Sequence, residues 1–156
     1  MNADEIKQHI ATKFDGLRVA DHLGDTFFIY DPDGDLPPQW QMPFATIVTA
    51  DNYDRVSALS DPDSYRLNIG LTRNRYTELF GPAPSRRDAD GVYDTGSDYA
   101  ARDLLMPHPS YAAQNWVCVV NPGAATLDTA LALVDEAYAF AVRKYANRQA
   151  RITERG

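Results

Sequence analysis

Apolar residues in this chain recur with two periods, one typical of helices and one typical of strands. Ile6 and Ile10 are four residues apart, so they fall on one face of a helix. Asn2 and Glu5 precede that face with the spacing of a capping box. The first helix is therefore predicted to be capped by Asn2 and to end by Gly16.

Four short segments predict β-strands. They are rich in β-branched or aromatic residues and are bounded by turn-forming residues, as strands usually are. Segment 65–70 alternates, with Tyr65, Leu67 and Ile69 on its apolar face. Segment 116–120 is apolar at every position, which indicates burial on both faces. The predicted strands are 26–30, 44–49, 65–70 and 116–120.

Two further helices are predicted in the second half of the chain. Thr72 is expected to cap a short helix that Gly81 ends. Residues 81–97 are polar and should form a long loop, and 98–106 are expected to hold one or two helical turns. A long helix should begin near Thr126, with one apolar stripe spaced by four and three. That stripe is Leu127, Leu131, Val134, Tyr138, Ala141 and Tyr145.

The order of these elements predicts an α+β fold. A helix comes first, strands dominate the middle and the longest helix comes last. This order favours an antiparallel or mixed sheet with the N- and C-terminal helices on one face. We predict a single α+β domain over residues 1–146 and a basic, mobile tail over residues 147–156.

Composition narrows the class of protein. A length of 156 residues fits one domain, and 44% hydrophobic and 24% charged residues are ordinary for a globular protein. The single Cys118 excludes an internal disulfide and indicates a reducing compartment. No apolar run approaches the roughly 18 residues of a membrane span, and the first residues lack a signal-peptide pattern. We therefore expect a cytoplasmic protein with no membrane partner.

Charge is unevenly distributed along the chain. The net charge is −7, but residues 143–156 hold five cationic side chains and only Glu154, a local +4, so the remainder carries −11. An acidic body repels phosphate backbones. Nucleic-acid binding through the basic tail, or through the arginines between Arg73 and Arg87, is therefore a disfavoured alternative. Cations also suit the C-terminal end of a helix for electrostatic reasons alone.

Four stretches resemble a family of small bacterial proteins known only as a domain of unknown function. These stretches are 27–35, 42–49, 66–70 and 107–117. The chain is more distantly similar to the MmcQ/YjbR-like family, whose strand tryptophan and C-terminal helix aromatic match Trp116 and Tyr138. That second resemblance implies a frataxin-type sandwich and a "double wing" shape proposed to bind DNA. Neither resemblance implies a catalytic residue.

No motif of assembled catalytic chemistry is present. The chain lacks a nucleophile elbow, a P-loop, a Rossmann glycine run and a zinc-protease helix. His9, His22 and His108 are far apart, so neither a metal site nor a cofactor is expected. The aspartate-rich segment 31–35 begins like a calcium loop but lacks the later glutamate, so it is interpreted as a turn. Cys118 lies in an apolar strand and should pack rather than react.

One group of polar and aromatic residues is the best candidate for a ligand-binding site. Pro109 should make the loop before the last strand rigid. Rigid polar groups beside an aromatic ring suit a small-molecule site. They equally suit a loop that satisfies its own backbone groups. The candidate residues are His108, Tyr111, Gln114, Trp116, Asn68 and Arg66.

These observations favour a non-catalytic binding or interaction module over an enzyme. Its partner could be a protein or a small molecule. A small-molecule-binding protein or enzyme with a site near His108 and Trp116 is the first alternative. Nucleic-acid binding through the basic tail is the second.

Overall fold

Six strands form one antiparallel sheet in the computed structural model, which describes residues 1–155 apart from the side chain of Arg155. The strands are Leu17–His22 (β1), Asp25–Tyr30 (β2), Ala45–Val48 (β3), Arg66–Gly70 (β4), Leu105–Pro107 (β5) and Trp116–Val120 (β6). Their order across the sheet is β1, β2, β3, β4, β6, β5. The predicted α+β class with an antiparallel sheet is confirmed.

Three α-helices accompany the sheet, and they are Ala3–Lys13 (α1), Arg73–Phe80 (α2) and Leu127–Arg155 (α3). Asn2 caps α1 as predicted, because its Oδ1 accepts the Glu5 amide at 2.8 Å. The Glu5 side chain in turn accepts the Asn2 amide at 3.2 Å. Thr72 caps α2 by accepting the Arg75 amide at 3.1 Å. Both predicted caps are confirmed.

α3 begins within one residue of its predicted start. Of the tail predicted over 147–156, residues 147–155 are the C-terminal part of α3, and residue 156 lies outside the described residues. No glycine or proline interrupts this stretch, so nothing in its local sequence ends the helix.

The start of α3 is stabilised from a distant loop. The carboxylate of Asp103 accepts the backbone amides of Gly123, Ala125 and Thr126 at 2.7–3.0 Å and the Thr126 hydroxyl at 2.6 Å. The Thr126 hydroxyl, followed by these amides, lowers the pKa of Asp103 to about 2. A side chain more than 20 residues upstream therefore supplies the acceptor that this helix end requires.

Sequence patterns missed β1. It forms a hairpin with β2 through Leu23 and Gly24, which both have positive φ (51° and 83°), as a two-residue type I′ turn requires. β1 is a partly exposed edge strand with the sequence LRVADH, which has neither an apolar run nor a regular alternation of apolar and polar residues, so no pattern marked it as a strand.

Residues 98–106 also differ from the prediction. The expected helical turns are wrong, because this segment contains bends followed by β5, which pairs with β6. Residues 105–107 pair with the edge of β6 as β5. The hydrogen bonds of this pairing favour a strand over a local helical turn.

α1 and α3 cover one face of the sheet, here called the inner face. α3 contacts β4 and β2 on this face, and the core there includes Leu67 and Ile69 of β4 with Val117 and Val119 of β6. The contact line of α3 runs through Ala130, Leu133, Val134 and Ala137, all at most 1% exposed. Leu131, expected in the buried stripe, is only partly buried.

Loops rather than helices cover the opposite, outer face. Side chains alternate across a strand, so Arg66 and Asn68 of β4 point away from the inner core. Two small apolar clusters seal the loops onto this face. The first is Val48, Leu59 and Val120, and the second is Val92, Tyr99, Met106 and Cys118.

Candidate functional site

The structure places the six predicted site residues in two different environments. Arg66, Asn68 and His108 are buried on the outer face, at 2%, 2% and 3% exposure. Trp116 is partly buried, Gln114 is exposed and Tyr111 is 55% exposed. The rings of His108 and Tyr111 lie 5.0 Å apart and those of His108 and Trp116 lie 6.4 Å apart.

Arg66 is the centre of a buried polar network. Its guanidinium donates to both carboxylate oxygens of Asp54 at 3.1 Å, to Ser57 Oγ at 2.9 Å and to Asn68 Oδ1 at 2.9 Å. Asn68 in turn donates to Thr46 Oγ1 at 2.9 Å. A bidentate, charge-assisted pair of this kind fixes geometry strongly. The network therefore ties the loop that carries Asp54 to the sheet.

His108 braces the loop that follows it. Its Nδ1 accepts the backbone amides of Ser110 and Tyr111 at 3.0 and 3.1 Å, so the ring is neutral and carries its proton on Nε2. Burial, helped by the positive charge of Arg66, holds the pKa of His108 well below its ordinary value. Both features belong to a histidine that stays uncharged at neutral pH.

Trp116 and Cys118 have packing roles on the same face. The indole ring of Trp116 lies over Gly70, where an added Cβ would approach it to 2.9 Å, so only glycine fits beneath the ring. Cys118 is fully buried, and burial raises the pKa of its thiol to about 12. A thiol in this state is not a nucleophile near neutral pH.

A cavity of about 500 Å³ lies beside these residues. It takes in Asp54, the partner of Arg66, and Ser110, whose amide bonds to His108. A small-molecule site near His108 and Trp116 stays a prediction, and this cavity adjoins it through Ser110. The residues around the cavity are Tyr53, Asp54, Arg55, Val56, Asp90, Gly91, Val92 and Ser110.

A second concavity of about 410 Å³ lies between the 36–44 loop and the C-terminal half of α3. We call it the Trp40 groove. Its lining combines aromatic, aliphatic and cationic side chains. They are Tyr30, Leu36, Trp40, Met42, Pro43, Phe44, Ala141, Lys144, Tyr145, Asn147, Arg148 and Arg151.

The loop side of the Trp40 groove is held in place by local bonds. A 3₁₀ turn, Pro38–Trp40, presents the indole ring, and prolines before it fix the backbone. The Gln41 side chain donates to the Leu36 carbonyl at 2.8 Å, and Asp31 accepts the Leu36 amide at 3.2 Å. Within this braced loop Trp40 is 50% exposed and Met42 is 70% exposed.

The helix side of the groove is aromatic and cationic. The ring of Tyr145 meets that of Tyr30 edge-on at 5.3 Å, and its hydroxyl donates to Asp33 at 3.1 Å. The guanidinium of Arg148 lies 4.7 Å from the centre of the Trp40 ring, within cation–π range. Arg148 thereby joins the two walls of the groove.

Three cations of α3 line this wall of the groove. Lys144, Arg148 and Arg151 follow each other by four and three residues, so they share one face of α3. In the part of the chain that the structure describes, none of them forms an ion pair with a carboxylate. Sequence reasoning singled out neither Trp40 nor this pairing, since it requires the 36–44 loop to lie against a helix about one hundred residues away.

Residues 1–155 offer neither a cluster of metal ligands nor a membrane-spanning helix. No group of three or more His, Cys, Asp or Glu side chains there could hold a metal ion. No helix in that range combines the length and apolarity needed to cross a membrane.

Comparison with known proteins places the chain in a family without assigning it an activity. A sequence model described as "Family of unknown function (DUF6194)" matches residues 1–150, and the chain belongs to that family. The predicted membership of an uncharacterised domain family is confirmed. No curated protein and no solved structure matches the chain.

Proposed function

We propose that this DUF6194 domain is a non-catalytic binding module and that the Trp40 groove is its binding surface. The observation that carries the proposal is the pairing of a half-exposed Trp40 with the guanidinium of Arg148 at 4.7 Å. The fold positions both groups and leaves both partly exposed. Such groups are available to a partner.

The composition of the groove supports a binding role. Tryptophan, tyrosine, arginine and methionine are enriched at binding surfaces, and tryptophan, tyrosine and arginine carry most of the energy there. Small-molecule sites are concave and mainly apolar, with a few polar groups that fix orientation. The Trp40 groove has these residue types, and its volume of about 410 Å³ falls in the usual range for such sites.

The charges of the groove indicate the sign of the partner's charge. Lys144, Arg148 and Arg151 place positive charge along one wall, while the chain as a whole is at −7. A local cationic surface on an acidic body favours an anionic group that is bound at short range rather than attracted from afar. The partner is therefore a negatively charged molecule or segment with an apolar part.

A non-catalytic role fits the chemistry of the buried groups. The thiol of Cys118 has a pKa of about 12, and the Nδ1 of His108 is occupied by two backbone amides. Nucleophilic catalysis needs an activated nucleophile beside a free base. Neither residue offers one.

A panel of three anionic probes tests the proposal. The probes are anilinonaphthalene sulfonate, a polyglutamate peptide and an oligo(dT) strand, each titrated into the intact chain. We expect at least one to bind, with affinity reduced at least tenfold by Trp40→Ala and by Arg148→Ala. Arg143→Ala is the matched control, because Arg143 is an exposed cation of α3 outside the groove. If no probe binds in a way that depends on Trp40 and Arg148, the proposal is wrong.

A small-molecule site near His108 and Trp116 remains a second candidate. It is supported by the cavity of about 500 Å³ beside Ser110 and Asp54. A thermal-shift screen that compares the wild type with Ser110→Trp, which would fill that cavity, tests it. A ligand whose stabilising effect is lost only in this variant would favour the second site.

Several finer predictions accompany this proposal. Similarity to the MmcQ/YjbR-like family and a bacterial origin rest on the sequence patterns alone. A cytoplasmic location is supported by the single reduced Cys118. Nucleic-acid binding ranks last, because the acidic body opposes a phosphate backbone.

A further inference from the structure

We propose that the ligand of the Trp40 groove is a small amphiphilic monoanion, an acyl or aryl carboxylate. This inference rests on the proposed function and narrows it from any anionic partner to one chemical class. Three features support it: the apolar floor of the groove, a preorganised cationic head site and the carboxylate of Asp33 beside the lining residue Tyr145.

The floor of the groove suits an apolar tail. Leu36 and Phe44 are buried at its base, at 8% and 3% exposure, and Ala141 of α3 leaves space beside them. Trp40 and Met42 stand at the mouth with half or more of their surface in water. An acyl chain or aromatic ring lying in the groove would cover both, and removal of that apolar surface from water favours binding.

The cationic wall suits a carboxylate head. Arg148 is held over the Trp40 ring, so part of the entropy cost of ordering its side chain is met before a ligand arrives. A planar guanidinium accepts a carboxylate in two parallel hydrogen bonds. Lys144 and Arg151 lie one turn away on either side of Arg148, so the head group is surrounded by positive charge.

A carboxylate beside the groove limits the charge of the ligand. Asp33 accepts a hydrogen bond at 3.1 Å from the hydroxyl of Tyr145, which lines the groove, so a negative charge lies next to the lining. A second negative charge on the ligand would be repelled by Asp33 as well as by the acidic body. A single-headed anion avoids this repulsion, whereas a nucleic acid or a polyglutamate segment cannot.

Competition with bound anilinonaphthalene sulfonate at pH 8 tests the inference, with acetate, octanoate and octyl phosphate as competitors. Octanoate carries one charge and octyl phosphate close to two at this pH. We expect octanoate to compete at least tenfold better than acetate and also better than octyl phosphate. Trp40→Ala should reduce the advantage over acetate, because that advantage comes from the tail. Arg148→Ala should weaken octanoate and acetate alike, because both carry the carboxylate head, and Arg143→Ala should leave both unchanged.

Asp33→Asn sharpens the test, because the amide keeps an acceptor for Tyr145 and removes only the charge. In this variant octyl phosphate should gain affinity relative to octanoate by at least threefold. Equal competition by acetate and octanoate, or an unchanged phosphate preference in Asp33→Asn, would overturn the inference. Groove-dependent binding of oligo(dT) or polyglutamate alone would also overturn it while leaving the proposed function in place. Absence of groove-dependent binding by every probe would remove both.

Discussion

The outer face around Arg66 and the Trp40 groove use arginine and aromatic residues in opposite ways. Arg66 is 2% exposed and makes four hydrogen bonds to neighbouring side chains. Arg148 lies over a half-exposed Trp40 and has no carboxylate partner within residues 1–155. Residue type alone therefore does not mark a binding site. Side chains that satisfy each other hold the fold together, and those that the fold positions but leaves open can bind.

Removal of Arg66 should give the largest loss of stability. Arg66→Ala leaves the Asp54 carboxylate without its buried partner, so we expect the free energy of unfolding to fall by about 3–5 kcal/mol. Urea denaturation measures this loss. The double variant Arg66→Met, Asp54→Leu should recover much of it, since no charge is then left unpaired. A loss below about 1 kcal/mol in Arg66→Ala would mean that the network is not structural.

A substitution on the helix-covered inner face gives a reference for the loss of stability in Arg66→Ala. Leu133→Ala removes a fully buried side chain of α3 and should cost about 2–5 kcal/mol. Leu131→Ala is its matched control, because Leu131 is only partly buried, and it should cost about 1 kcal/mol or less. Equal losses in the two variants would contradict the contact line assigned to α3.

Acid should weaken the outer face through His108. Its pKa in the folded protein is depressed, so the unfolded chain binds the proton first. The contribution of neutral His108 to the free energy of unfolding is therefore complete above the ordinary pKa of 6.5. Below that pH it falls by up to about 1.4 kcal/mol per pH unit, until the folded-state pKa is reached. Unfolding curves between pH 7.5 and 5 for the wild type and His108→Asn check this slope. The asparagine variant keeps an acceptor for the loop amides and should lose that part of the pH dependence; an identical slope in both would exclude His108 as its source.

The groove should show the smallest effect on stability and the clearest effect on binding. Trp40→Ala removes a half-exposed side chain, so the free energy of unfolding should change by no more than about 1 kcal/mol. Thermal unfolding compared with probe titration separates the two effects. A large loss of stability would place Trp40 with Arg66, among residues that hold the fold.

Local sequence signals predicted what depends on neighbours in the chain. The caps formed by Asn2 and Thr72 each involve residues three positions apart, and both were correctly predicted. β1 and β5 were missed because their conformation depends on pairing with β2 and β6. Leu131 was predicted in the buried stripe but is only partly buried, because periodicity gives a helix face but not the shape of the sheet beneath it.

The candidate sites were predicted less well for the same reason. Arg66 and His108 are polar residues in or beside strands, which made them candidates for binding, but their partners come from loops whose path the sequence does not reveal. The Trp40 groove joins residues about one hundred positions apart. An exposed aromatic residue in a proline-rich loop and a basic helix end were both visible in the sequence, and only the fold puts them side by side.

The chain contains two tryptophans, and they lie in the two regions that the account contrasts. Trp40 lines the groove, and Trp116 packs beside His108 on the outer face. Their indole N–H groups give two separate signals in a ¹⁵N-correlated NMR spectrum, which Trp40→Phe assigns. During titration with anilinonaphthalene sulfonate, we expect the Trp40 signal to shift with the bound fraction while the Trp116 signal stays in place. A shift of the Trp116 signal while that of Trp40 remains fixed would contradict it.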